Sequence, residues 1–255
     1  MKPPLVLLFL KAPDPGRVKT RLAKDVGNDL AVAVYRKLVE RQLRQIPDAW
    51  HTRIVHDPPD ALARFQDWLG ADRDYEAQCD GDLGDRLKAA VQQAFAGGAD
   101  TVFCIGADCP SLDAHSFVAA LETLQGNADL VFAPAEDGGY VLLGLKKPIP
   151  EIFEDIPWSQ PDTLEVSRSR AEQLGHRVTL LPPHFDIDTL ADLERFPCCN
   201  IVRPHAKKRH ARSALECGSA VRNDRSCRLG AKGEEPSAAP KEPPPQNAAT
   251  IHRAK

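Results

Sequence analysis

An α/β domain with a mostly parallel sheet is the fold that three observations in the sequence predict. Short apolar runs alternate with helical patterns over residues 1–196. Most of the runs are continuously apolar, as strands covered on both faces require. The segments between them repeat apolar residues at the spacing of one helix face.

In chain order, strands are expected at Leu5–Leu10, Arg53–His56, Thr101–Ile105, Asp129–Ala133, Val141–Leu145 and Val178–Leu181. Leu22, Val26, Leu30, Val34 and Leu38 recur every fourth residue and mark a first crossover helix. Leu87, Ala90, Val91, Ala94 and Phe95 mark a second, and Phe117, Leu121 and Leu124 a third, behind Asp113. Thr163–Leu174 is helical and stops at Gly175, a residue that closes helices because it accepts a left-handed backbone. A last helix follows over Leu190–Phe196.

Composition is that of a globular protein, with 42% apolar and 27% charged residues. The charge is uneven. After residue 196 there are 12 Lys/Arg against 5 Asp/Glu, and before it 21 against 31. Residues 197–255 contain Pro243-Pro244-Pro245 and too little apolar surface to offset the entropy of ordering, so they read as a basic disordered tail. The acidic body argues against nucleic acid as a partner. Leu5–Leu10 is far below the roughly 20 residues that cross a bilayer, and too short for a secretory signal, so the chain reads as cytoplasmic. Seven cysteines without a CxxC pair indicate reduced thiols rather than a disulfide framework or a zinc site.

In open α/β sheets ligands bind outside the carboxyl ends of the strands. The loop after the first strand places Lys11, Arg17, Lys19 and Arg21 beside Gly16 and ahead of a helix, an arrangement suited to phosphate, although a solvated basic turn would look similar. Asp108 follows the third expected strand and suits a hard divalent cation; the alternative is a helix cap, for which Ser111 and Asp113 are better placed. Asp137 precedes Gly138 and Gly139, which allow close approach to a ligand or make a tight hairpin turn. Asp186 and Asp188 can complete a metal site, or Asp188 or Thr189 can cap the last helix. Gln78–Arg86 reads as a loop and cap, with Gln78 able to donate and accept as a nucleobase edge requires. Trp158 can stack on an acceptor or pack on the core. His51, His56, His115, His176 and His184 stand singly and read as structural.

These segments occur in one order: Lys-x-Pro-x-Pro-Gly-x-Val-Lys-Thr-Arg-Leu at residues 11–22, Gln-x-x-Gly-Asp-Leu-Gly-x-Arg-Leu at 78–87, Gly-x-Asp-x-Pro at 106–110, Pro-Ala-x-Asp-Gly-Gly-Tyr at 134–140, Pro-Trp-Ser at 157–159 and Asp-Ile-Asp-Thr-x-x-Asp-Leu at 186–193. Together they resemble the DUF2064 family of glycosyltransferase-A-like transferases over about residues 5–196. The resemblance implies a GT-A (Rossmann-like) three-layer sandwich with a mostly parallel central sheet. It also implies a nucleotide-sugar donor, a small-molecule acceptor and Mg²⁺ or Mn²⁺.

By that resemblance Lys11, Gly16, Arg17, Lys19 and Arg21 hold donor phosphates, and Gln78 and Gly84 face the base. Asp108 and Asp188 hold the metal, and Gly138, Gly139 and Tyr140 shape the acceptor side. Asp137, Lys19 and Arg21 are the expected catalytic residues, with Asp137 as base. Two features depart from the wider fold. Asp108 stands between Ala107 and Cys109 where Asp-x-Asp is usual, and the Lys-Thr-Arg-Leu loop is closer to nucleotidyl transfer from a nucleoside triphosphate. Nucleotidyl transfer is thus the alternative, with a non-catalytic nucleotide sensor behind it.

Overall fold

The computed structural model describes residues 2–196; the expected tail, 197–255, lies outside the described residues. A seven-stranded sheet runs through the described part. Its strands are β1 (Leu5–Lys11), β2 (His51–Asp57), β3 (Asp74–Ala77), β4 (Val102–Ile105), β5 (Leu130–Pro134), β6 (Tyr140–Leu145) and β7 (Val178–Leu180). They lie in the order β3-β2-β1-β4-β6-β5-β7, with β6 antiparallel to both neighbours and every other pairing parallel. The helices are α1 (Thr20–Val26), α2 (Asn28–Gln45), α3 (Leu62–Leu69), α4 (Leu83–Ala96), α5 (Ala114–Gln125), α6 (Thr163–Gln173) and α7 (Leu190–Arg195).

The period of two along a strand divides β1 between two cores. Val6, Leu8 and Leu10 face one core with Tyr35 and Val39 of α2, Phe65 of α3 and Phe117 of α5. Leu7 faces the other with Leu87, Ala90 and Val91 of α4 and Ala171 of α6. The sheet is therefore the middle of three layers, which is why its central strands read as continuous apolar runs. Of the cysteines in the described residues, Cys79, Cys104 and Cys109 are free thiols. No helix among those residues is long and apolar enough to cross a membrane.

Two departures from the sequence reading have local causes. The periodic stretch Leu22–Leu38 is two helices, because Gly27 adopts φ 86°, donates its N–H to the Ala23 carbonyl and ends α1. Leu22, Val34 and Leu38 still share one cluster, with the buried Ile187. Strand β3 was invisible to periodicity because Asp74-Tyr75-Glu76-Ala77 is a short edge strand; its acids pair with Arg53 of β2 at 2.7 and 2.9 Å. Acids on an edge strand discourage pairing with another chain.

After β3, α4 carries the chain back past β2 and β1, and β4 pairs on the far side of β1. The strand order reverses between β1 and β4. Helices leaving these strands diverge there and open a crevice at the carboxyl rim.

Candidate active site

The loop leaving β1 is fixed by its backbone. The Ala12 N–H donates to the Asp57 carbonyl at 2.7 Å, the Arg17 N–H to the Asp14 carbonyl at 3.1 Å, and Val18 is buried. Tyr35 Oη accepts from the Lys11 N–H at 3.0 Å and donates to the Lys11 carbonyl at 2.9 Å, so the end of β1 is held while the Lys11 side chain projects into the crevice. Lys19, immediately before α1, has φ 47°. A non-glycine residue in the left-handed region costs of order 1 kcal/mol and persists only where the surroundings enforce it.

That backbone turns the Lys19 side chain inward, where it is only 5% exposed. Its Nζ donates to Asp108 Oδ2 and Asp188 Oδ1, each at 3.0 Å. Burial opposes the ammonium charge, yet the two carboxylates more than compensate and raise its pKa above the ordinary lysine value. Burial likewise opposes ionisation of Asp108, but the Lys19 charge and hydrogen bond bring its pKa below the usual carboxylate range. Arg21 Nη1 reaches Asp188 Oδ2 at 3.3 Å from the solvent side.

Asp186 completes the acidic wall. One oxygen from each of Asp108, Asp186 and Asp188 lies within 4.8 Å of the others. Burial, followed by repulsion from Asp108 and Asp188, pushes the Asp186 carboxyl up to about 6. Three carboxylates face the one buried ammonium, leaving a surplus of negative charge and hard oxygen donors, a set that fits Mg²⁺ or Mn²⁺.

The capping alternatives resolve without taking these acids away. Asp113 caps α5 by accepting the Ser116 N–H at 2.9 Å. Thr189 caps α7 in a reciprocal box with Asp192, which leaves the Asp188 side chain to Lys19.

Two cavities share this rim. Lys11, Arg17, Lys19, Arg21, Asp108 and Asp188 line a basic and acidic cleft of about 600 Å³. Asp137, Gly139 and Tyr140 line a more apolar cavity of about 450 Å³, walled by Leu83 and Trp158. Phe9, Arg21, Gly106 and Ser159 border both, which makes them adjoining parts of one crevice. Gly16, with φ 76°, lies beside a smaller pocket of about 230 Å³ that Lys11 and Arg17 also border. Phe9, Leu83 and Ser159 were given no role from the sequence, although Leu83 and Ser159 fall within its ordered motifs. Leu83, 44% exposed at the start of α4, carried the further signal of an apolar residue in a polar loop.

Several predicted residues have structural duties. The Gln78 amide donates to the Val55 carbonyl at 2.8 Å and the Leu10 carbonyl at 3.4 Å, and its oxygen accepts from Arg86 at 3.1 Å. A Cβ on Gly84 would stand 2.5 Å from the Phe153 carbonyl oxygen and 2.7 Å from Trp158 Nε1, so this glycine lets α4 pack beneath the Trp158 segment. Gly138 has φ 91° and lies against the Pro161 carbonyl, so the close approach it permits is to the protein's own backbone. Asp137 serves the hairpin turn, accepting the Gly139 N–H at 3.0 Å, and also borders the apolar cavity.

The reciprocal box of Asp82 and Asp85 starts α4. Asp82→Ala is expected to cost about 1 kcal/mol and to lower Tm by about 3 °C, measured by thermal unfolding.

Similarity to known proteins agrees with this arrangement. The family model described as "Uncharacterized protein conserved in bacteria (DUF2064)" matches residues 41–160. The crystal structure of a "putative nucleotide-diphospho-sugar transferase" from Desulfovibrio desulfuricans G20 is 36% identical, with a TM-score of 0.72 over 76% of this chain and 85% of that one. At 14% and 12% identity, two structures share the fold. One is CMP:2-keto-3-deoxy-manno-octonic acid synthetase complexed with CTP, with a TM-score of 0.50 over 76% of this chain and 96% of that one. The other is 4-diphosphocytidyl-2C-methyl-D-erythritol synthase from Anaerococcus prevotii DSM 20548, with a TM-score of 0.51 over 76% and 97%. No curated protein matches the sequence. With the ordered motifs gathered on one rim of a GT-A-like sheet, and a solved relative sharing more than a third of its residues over most of both chains, the chain belongs to the DUF2064 family.

Proposed function

We propose that the protein is a metal-dependent transferase that moves a sugar from a nucleoside-diphosphate donor to the hydroxyl of a small acceptor. The observation that carries this reading is the clamp of Lys19 between Asp108 and Asp188, with Asp186 beside it, in the lining of a cleft that Lys11, Arg17 and Arg21 also line. The relative described as a nucleotide-diphospho-sugar transferase supports the same donor class.

Asp108, Asp186 and Asp188 would hold Mg²⁺ or Mn²⁺, which when bound supplies Lewis-acid stabilisation of phosphate charge. Lys11 and Arg17, in the lining of the same cleft, bind the donor phosphates. Lys19 and Arg21 stabilise the negative charge that grows on the diphosphate as the bond from the anomeric carbon to oxygen breaks. The acceptor oxygen forms the new bond to that carbon, its proton passes to the Asp137 carboxylate, and the electron pair of the broken bond leaves with the diphosphate. The adjoining cavity under Trp158 orients the reacting groups away from bulk water.

Nucleotidyl transfer is a second reading, favoured by one observation. Lys11 and Arg17 line the cleft in addition to Lys19 and Arg21, which Asp108 and Asp188 already engage, and the longer phosphate chain of a triphosphate would use both pairs.

Calorimetric titration with nucleotide sugars and nucleoside triphosphates, with and without Mg²⁺ or Mn²⁺, tests both. A nucleotide sugar is expected to bind only with a divalent cation, and Asp108→Asn to weaken that binding about 100-fold. Unchanged affinity in Asp108→Asn would remove the metal site. Turnover of a triphosphate with release of pyrophosphate would establish the second reading instead.

A further inference from the structure

The carboxylate cluster is assembled from two stretches distant in sequence. Asp108 follows β4, and Asp186 and Asp188 lie on the irregular segment after β7. Among its backbone N–H groups, His184 donates to the Pro134 carbonyl at 2.8 Å, Ile187 to the Asp108 carbonyl at 3.0 Å, Phe185 to Ser111 Oγ at 3.2 Å and Asp188 to Asp192 Oδ2 at 3.2 Å. Of the two side-chain acceptors, Asp192 belongs to the adjoining α7, and only Ser111 comes from the stretch that carries Asp108. Ser111 Oγ also lies 3.1 Å from His184 Nδ1, 3.4 Å from the Phe185 carbonyl oxygen and 3.4 Å from Cys109 Sγ. Ser111 is three residues beyond Asp108 and lines neither of the two cavities of the crevice.

We infer that Ser111 is a positioning residue: its hydroxyl sets the spacing between Asp108 and the Asp186/Asp188 pair, and through that spacing the affinity for a divalent cation. The inference rests on the metal reading above. The physical reason is tolerance. A hard cation such as Mg²⁺ accepts oxygens only within about 0.1 Å of its preferred distance. Without the hydroxyl, the half-buried Phe185 N–H loses its acceptor and the segment relaxes toward solvent, carrying Asp186 and Asp188 with it. His184, one of the isolated histidines, shares the role by receiving or directing the Ser111 hydroxyl hydrogen.

The experiment uses the full chain without nucleotide. Mn²⁺ is titrated by electron paramagnetic resonance into wild type, Ser111→Ala and Ser111→Thr, and amide exchange over 184–188 is followed in the absence of metal. Ser111→Ala is expected to weaken Mn²⁺ binding about tenfold and to speed exchange at Phe185. Ser111→Thr, which keeps the oxygen, is expected to stay within about threefold of wild type. Wild-type Mn²⁺ binding with an unchanged Ser111→Ala overturns the positioning role alone, as does a Ser111→Thr variant as impaired as Ser111→Ala. Absence of Mn²⁺ binding by wild type overturns the metal site itself, and the positioning role with it.

Discussion

Lys19→Met is expected to weaken nucleotide binding about 30-fold or more, because truncating one partner of a desolvated charge pair costs about 2–5 kcal/mol. Its Nζ is the buried positive group between Asp108 and Asp188, and methionine keeps the chain volume while removing the charge. Three carboxylates would then face the donor phosphates with only the exposed Arg21 still paired to one of them. Divalent-cation affinity in the absence of nucleotide is expected to hold or rise, since a cation no longer competes with the ammonium. This pairing of effects separates a phosphate-binding lysine from a merely structural one, which would weaken both.

The loss of folding stability should be smaller than for a fully buried pair. Asp108 and Asp188 are 42% and 36% exposed, and water can solvate them once Lys19 is gone. Its pH dependence follows from the two shifts. The folded pKa of Asp108 is lowered, so its contribution is present above the ordinary value of 3.8 and lost as pH falls through the lower folded value. That of Lys19 is raised, so its contribution is present below 10.5 and lost as pH rises through the higher folded value. The stability gap between wild type and Lys19→Met should be flat across neutral pH and close at both extremes. Denaturant unfolding over a pH series measures it, and a gap that peaks at one end would contradict the clamp.

Gly138→Ala is expected to lower stability by about 3 kcal/mol through left-handed strain and overpacking. Tm should fall by about 10 °C for a domain of this size. With φ at 91°, an added Cβ would fall inside the Pro161 carbonyl, a backbone group that cannot swing aside as a flexible side chain would. The segment 157–161 would have to move, and with it Trp158 and the hydrogen bond from the Leu164 N–H to the Gly138 carbonyl at 3.0 Å. Gly16 gives the control. It also has positive φ, 76°, but nothing lies within 4 Å of its Cβ position, so Gly16→Ala should cost only about 1 kcal/mol. Equal losses in the two variants would show that backbone conformation alone, and not the contact with Pro161, makes Gly138 necessary.

The sheet was legible in the sequence because strands buried on both faces have almost no freedom in composition. Val6–Leu8, Val102–Ile105 and Leu130–Ala133 are apolar without interruption for that reason. The edge strand β3 was not legible, since one row of its side chains, Asp74 and Glu76, is charged and the other has only the half-buried Tyr75 to mark a core face. The candidate site was legible in part: Lys19, Asp108 and Asp188 stood out as charged residues in the connections that leave the carboxyl ends of strands. Gln78 and Gly84 stood out too, yet backbone carbonyls and the Trp158 segment account for both.

The sequence by itself determined the alternation of strands and helices, the rim on which the charged loops gather and the ordered motifs of the family, because each of these is written in neighbouring residues. Only the tertiary structure decided that Lys19 closes onto Asp108 and Asp188, that Asp186 joins them and that Gly138 serves Pro161. Lys19 and Asp188 are 169 residues apart. No local pattern encodes a distance between side chains whose approach depends on how every intervening helix packs against the sheet.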